Sequence, residues 1–544
     1  MNTQMKTLMS QRIFNSNTCR ILFATCLSAL CLIALSVEAV TITVSNGGDS
    51  GPGSLRQVLA DANDGDTIDF DSAFSGGSIS LLDPLVVDKS VTISGPGAAN
   101  LWVIGSGYSR VFYIGVGKTV TISGLNIANG YADDVGGGIY NDHSTLTVSN
   151  CGILGNFAVG DGGGIYNDGS EGSAALIINN STLGGNQAYT AGGGIYNDGS
   201  EGGSATLTIN NSTVSGNSAN SGGNSANFGG GIFNYADFGG SATLTVSNST
   251  ISGNSAAGFY GAGGGIHNVG RFSGSATLTV NNSTLSGNSS GFYGYGGGIF
   301  NDAHIGEGAT LEIGNTILKT GSSGANIYNP EGTVTSLGYN LSNDDGDGFL
   351  IATGDQINTD PLLGPLQDNG GPTFTHALLT GSPAISAGDP NFNPNSFNPP
   401  MVYDQRGTGF NRVANGRIDI GAFEVQAVPS TYAGQVQQPI NADGTSVFNV
   451  RRGVVPVKFT LTQGGVATCD LPPATIAVTR TAGGTTGQID ESVYSGSADT
   501  GSNFRISNCQ YIYNLSASAL GVGTYRVDIK INNQVVGSGI FQLK

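Results

Sequence analysis

Three aspartates recur at one place in a repeated phrase: "GGGIYND" stands at 136–142, 162–168 and 192–198, which puts Asp142, Asp168 and Asp198 at equivalent positions. Carboxylates converging across neighbouring repeats are what glycoside hydrolysis employs, one as acid and another as base or nucleophile. Elimination on an acidic sugar needs a basic side chain beside them, and from 119 to 310 the chain holds a single Lys or Arg, Arg271. Asp-Gly turn chemistry accounts for Asp168 and Asp198 without any reaction. The four histidines, His143, His267, His304 and His376, fall in different repeats and not at metal-ligand spacing. A second acidic group, "NDDGDG" at 343–348, offers Asn343, Asp345 and Asp347 at alternate positions, as in the first half of a calcium loop, but position twelve is Gly354. The alternatives there are a weak Ca²⁺ site and an acidic turn. No other cofactor is indicated.

The elements that must carry these groups are repeats. Near-copies "GGGIFN" at 229, "GGGIHN" at 263 and "GGGIFND" at 296 extend the series, with starts 26, 30, 37, 34 and 33 residues apart. Each unit reads as strand, turn, strand, turn, and the shortest is about one coil of a parallel β-helix. A lone coil cannot bury its apolar face, so coils must stack strand on strand at about 4.8 Å. Leu207, Ile209 and Val214 mark the inward positions.

Stacking aligns like residues in rows. Asn141, Asn167, Asn197, Asn234, Asn268 and Asn301 form one ladder; Asn150, Asn180, Asn211, Asn248 and Asn282 a second; Asn156, Asn186, Asn217, Asn254 and Asn288 a third. All are read as inward amides bonding at corners. Tyr140, Tyr166, Tyr196, Phe233, His267 and Phe300 form an outward row, available either for stacking on one another or for contact with sugar rings. Cys151 takes the place of Ser181, Ser212, Ser249 and Ser283, and so reads as a small stacked residue and not a catalytic thiol.

Composition bounds the rest. With 89 Gly, 20 Lys and Arg, and 38 Asp and Glu in 544 residues, the chain is acidic, at formal charge −18. Nucleic acid is excluded as a partner, because this surface repels phosphate. Lys6, Arg12 and Arg20 precede an apolar run from Ile21 to Val37 and small residues to Ala39, the pattern of a cleaved export signal. The expected product is secreted or cell-surface, and not integral to a membrane after cleavage. Cys469 and Cys509 share the C-terminal segment, and export makes a disulfide between them the expectation.

Ser54 reads as the N-cap of a short helix in which Leu55, Val58 and Leu59 share a face suited to cover the first coil. The stretch "TITVSNGGDSGPGSLRQVLADANDGDTIDF" at 41–70 resembles the opening of CSLREP-class bacterial surface proteins. Segments 360–390 and 404–424 resemble the end of the helix in choice-of-anchor Q proteins, and the coils resemble repeats of polymorphic outer-membrane adhesins. "RRGVVPVKFTL" at 451–461, with 511–531, resembles the PxKF domain; its Lys458 reads as an edge-strand residue with a solvated head.

The expected architecture is all-β: a right-handed parallel β-helix, pectin-lyase-like, with a short capping helix, followed by an immunoglobulin-like sandwich. The expected boundaries are a signal at 1–39, an N-terminal cap at 40–90, coils at 91–350, final coils and C-terminal cap at 351–426, a linker at 427–434 and the sandwich at 435–544. The expected function is noncatalytic, an adhesin-like binding or structural component contacting glycans or other cell-surface or matrix components. The alternative is a polysaccharide-active enzyme, pectate-lyase-like or a glycoside hydrolase.

Overall fold

The computed structural model describes residues 39–544 apart from 75, 221–226, 305–307, 427–431, 464–465, 469–473, 484–486, 490–498, 500 and 532–533. The export-signal reading therefore lies outside the described residues, save for its last position. Among these residues, no helix is long and apolar enough to cross a membrane.

The repeats form a right-handed parallel β-helix. Three long sheets of eleven, ten and nine strands run along it, with a five-stranded ribbon of two-residue strands at one corner. Register is strict because the copies align residue for residue. Ile139, Ile165, Ile195, Ile232, Ile266 and Ile299 pair in succession on the nine-stranded sheet. All of them are fully buried, as are Ile209 and Val214. The N-terminal helix Leu55–Asp61 has Ser54 as N-cap, accepting from the Gln57 N–H, and buries Leu55, Val58 and Leu59 against the first coil.

The triple glycine has a steric cause. Gly136 takes φ +66°, and a Cβ on Gly137 would stand 2.2 Å from the Phe157 carbonyl oxygen of the next coil. No other residue allows coils to approach this closely at the corner.

Two of the three asparagine rows point inward. In the first, each amide nitrogen donates to the next oxygen, from Asn141 to Asn167 at 2.7 Å through Asn268 to Asn301 at 2.8 Å. The third does likewise at 2.9 Å from Asn156 to Asn288. The second row is a correction. Asn150, Asn180, Asn211, Asn248 and Asn282 all sit at φ near +50° in a tight turn; Asn150 is exposed, Asn180 and Asn211 are half-exposed, Asn248 and Asn282 are buried, and one rung forms, from the Asn248 amide to the Asn211 oxygen at 2.7 Å. Asparagine is there because it tolerates the left-handed conformation, so backbone geometry and not an inward ladder repeats it.

Residues 361–426 are not further coils. After the strand Leu341–Ser342 the chain turns back and lies as a strap along the ten-stranded sheet. Gln405, fully buried, donates to Thr213 Oγ1 at 2.8 Å and accepts from Thr250 Oγ1 at 2.6 Å. Arg412 donates to the Asn282 side chain, and the Asp389 N–H donates to that of Asn315. The strap thus covers the turn residues that an inward ladder would have hidden.

From Tyr432 onward a second unit has its own core. Two five-stranded sheets pack as a sandwich around Val457, Phe459, Tyr511, Tyr525 and Phe541. Lys458 is not on an edge: its strand, Val454–Gln463, runs between Tyr432–Gln437 and Gln510–Ser516. Cys509 is disulfide-bonded, and Cys469 lies outside the described residues.

Candidate functional site

The strands of the nine-stranded sheet end in the aspartates of the repeated phrase, and the alternation that sends Asn141 inward sends Asp142 and Tyr140 outward. Each phenol reaches one coil onward. Tyr113 donates to Asp142, Tyr140 to Asp168 at 2.6 Å and Tyr166 to Asp198 at 2.5 Å. These donors hold the carboxylates in a row. The Asp142 bond lifts the Tyr113 phenol to about 12, whereas burial is the leading cause of the rise at Tyr140 and Tyr166.

His143 gives this row its distinct end. Later coils carry a longer Gly-rich turn after the aspartate, but the first copy passes from Asp142 to Thr145 through His143 and Ser144 alone. That short turn places His143 at φ +47°, a strained conformation that histidine tolerates better than most residues. Its Nδ1 lies 2.5 Å from Asp142 Oδ1 and its Nε2 lies 2.6 Å from the Ser170 carbonyl oxygen. Both partners are acceptors, so an imidazole satisfied at both atoms carries two protons. Burial alone would lower the His143 pKa, but the Asp142 bond, the Ser170 carbonyl and the charges of Asp168 and Asp142 hold it above its ordinary value. The ring packs against Gly172, where a Cβ would fall 2.4 Å from Cδ2.

One ligating atom each from Asp142, His143 and Asp168 lies within 4.8 Å of the others, close enough for a divalent cation. In the hydrogen-bonded arrangement described here His143 is a proton carrier, and metal ligation would require it to shed a proton and turn from Asp142. Asp168 is held by Tyr140 and, through its other oxygen, by the Ser170 N–H and hydroxyl. The arrangement can therefore orient a cationic imidazole, 27% exposed, beside two carboxylates, and deliver a proton at the corner when an incoming acceptor displaces the Ser170 carbonyl from Nε2.

Sequence reasoning placed the three aspartates together but left His143 aside as scattered. The missed signal was the length of the turn, which makes sequence neighbours into partners. Asp161 was also missed; burial raises its carboxyl to about 6, near Asp198, and its Oδ1 is buried without a partner. Nothing in its local sequence marks it.

The proposed glycan-contact row is corrected in part. Tyr196, Phe233 and Phe300 are only 8%, 5% and 8% exposed, and neighbouring rings sit 4.6–5.6 Å apart from Tyr113 to Phe300. Their faces are used on one another, while Tyr140 and Tyr166 remain half-buried with hydroxyls engaged by aspartates. His267, in the same column, is fully buried, and desolvation holds its pKa below the ordinary value.

At the acidic turn 343–348 the three candidate side chains are turned to neighbouring protein groups. Asn343 is a rung of the inner stack, its oxygen accepting from the Thr320 N–H at 2.9 Å and from Asn326 at 2.9 Å. Asp345 accepts from the Asp347 N–H and Asp347 from the Asn329 N–H. One oxygen of each aspartate thus finishes a backbone N–H at the end of the helix.

No family model matches the sequence and no curated protein matches it, so the resemblances of the terminal segments and the sandwich to named families rest on their motifs alone. Similar solved structures include a mannuronic-acid-specific polysaccharide family 6 lyase from human gut microbiota, at TM-score 0.23 and 10% identity, covering 56% of this chain and 80% of that one. Another is the family 6 alginate lyase AlyGC, at TM-score 0.22 and 15% identity, covering 62% of this chain and 55% of that one. These likenesses concern fold alone. The expectation of a noncatalytic, adhesin-like protein is nevertheless corrected, because the Asp142, His143 and Asp168 side chains converge on one corner of the helix. The sequence had argued against catalysis from turn chemistry and from the lack of a basic side chain beside the aspartates, and His143 is such a side chain.

Proposed function

We propose that this chain is an exported enzyme that cleaves a polysaccharide at the Asp142–His143 corner. The observation that carries the reading is the Asp142–His143 hydrogen bond at a partly open position beside Asp168. Breaking a glycosidic bond requires a proton for the departing oxygen; with Nδ1–H held by Asp142, the Nε2–H of His143 supplies it once that oxygen replaces the Ser170 carbonyl as its acceptor. Asp142 is the positioning residue, as is Tyr113, whose hydroxyl occupies the other Asp142 oxygen. The disulfide at Cys509 and the export-signal pattern support action outside the cell.

The test is incubation of the purified protein with neutral polysaccharides and polyuronates, following both reducing ends and the absorbance of unsaturated sugar products. Release of either from at least one polymer is the expected result. Reducing ends alone identify hydrolysis and unsaturated ends identify elimination. Absence of depolymerisation across the panel would overturn the reading.

A further inference from the structure

Two consecutive coils carry an insert that closing the coil does not require. Three residues separate Ala158 from the triple glycine at 162, but six separate Ala256 from that at 263, and these include Gly258-Phe259-Tyr260-Gly261. The next coil repeats the phrase as Gly291-Phe292-Tyr293-Gly294, followed by Tyr295. The inserts pair: the Tyr293 N–H donates to the Phe259 carbonyl at 2.8 Å and the Gly291 N–H to that of Gly261 at 2.9 Å. Phe259 and Tyr293 stand 4.6 Å apart, and Phe259 and Phe292 stack at 6.0 Å. Yet the outer rings are open to solvent: Phe292 is 78% exposed, Tyr293 56%, Tyr260 54% and Tyr295 52%. A contiguous aromatic patch that fills no core marks a contact surface.

Its place and its charge select the partner. Tyr295 lies 4.5 Å from Tyr328 and 6.3 Å from Phe300, so the patch joins the aromatic column that runs back to Tyr113 beside Asp142. Four to five strand steps separate the coil of Ile139 from those of Ile266 and Ile299, about 19–24 Å at ~4.8 Å per step. That is the span of a short run of linked sugar rings. The insert phrases contain no charged residue, and of the two carboxylates acting on the adjoining Tyr328, Asp347 and Asp302, the second is paired with Arg271 at 3.2 Å. A polyuronate or sulfated chain finds no cation in these loops to pair with, whereas the apolar face of an uncharged sugar matches an aromatic ring and its hydroxyls match the phenol tips.

We infer that the paired loops 258–261 and 291–295 form a binding platform for an uncharged linear glycan, a single chain of which reaches along the helix to His143. The second half of this statement rests on the reading of His143 as the cleavage site. The probes are xylan, a mixed-linkage β-glucan and galactomannan, with alginate and polygalacturonate as charged counterparts, each cast into native gels. The variants are Phe292→Ala and the triple Tyr260→Ala, Phe292→Ala, Tyr293→Ala, all at exposed tips outside the core.

Wild type should be retarded by at least one neutral polymer and by neither polyuronate. The triple variant should bind that polymer about tenfold more weakly. Equal retardation of wild type and variant, retardation by polyuronates that the variant loses, or no retardation of wild type by any neutral polymer overturns the platform. So does self-association of wild type that the variant abolishes without any glycan binding, which would make a second copy the occupant. Failure of the cleavage reading is separately visible: His143→Ala would then cleave like wild type while the loop variant still loses binding.

Discussion

His143 and Asp142 are adjacent in sequence and also hydrogen-bonded, Nδ1 to Oδ1 at 2.5 Å, which the left-handed backbone of His143 makes feasible. The bond ties a local strain to a local charge. Tyr113 holds the other oxygen of Asp142 and Asp168 stands within 4.8 Å, while 27% of the His143 side chain stays open to solvent.

Because the His143 pKa is raised in the folded protein, its contribution to stability is fully present below the unfolded value near 6.5 and is lost as pH rises through the folded value. The difference in denaturation midpoint between wild type and His143→Asn should therefore be greatest in mild acid and shrink at alkaline pH. Asn is chosen because it tolerates positive φ. A gap that widens with pH contradicts the assignment.

The two kinds of asparagine row should respond differently. Asn197 is fully buried, donates to Asn234 at 2.7 Å and accepts from Asn167 at 2.7 Å, so Asn197→Leu should cost about 1–3 kcal/mol or more by stranding both neighbours. Asn180→Gly should be nearly neutral, since Asn180 is half-exposed and valued for its φ of +48°. Urea melts of the two variants decide this; equal losses would contradict the division.

The coil stack, its register and the capping helix were legible because the copies align: once Ile139 is equated with Ile165 and Ile195, strand pairing follows. The same alignment misled for Asn150 to Asn282, since periodicity shows that a position is constrained and not whether its side chain or its backbone is the cause. The strap was hidden because contacts such as Gln405 with Thr213 join residues 192 apart and leave no local pattern. His143 was hidden for the opposite reason, being a departure from the repeat at its first copy.

Cys151 is free and 3% exposed, and burial lifts its thiol to about 11. It should resist a water-soluble disulfide reagent in the native protein and react once unfolded. Rapid native labelling at Cys151, read by peptide mass, would contradict its placement under the ten-stranded sheet.

Since Asn343 Oδ1 and one oxygen each of Asp345 and Asp347 are taken by neighbouring N–H and amide groups, millimolar Ca²⁺ should leave the thermal melt where chelator leaves it. A rise in melting temperature with Ca²⁺ that Asp345→Ala, Asp347→Ala removes would show that the loop rearranges to bind the ion.

The central claim is that His143 supplies the proton for glycosidic cleavage, and its most direct test is kcat/KM of His143→Ala against wild type on whichever polysaccharide the wild type depolymerises. The account predicts a loss of about 10²- to 10⁴-fold with the fold intact by circular dichroism. An intact variant that cleaves at the wild-type rate would contradict it.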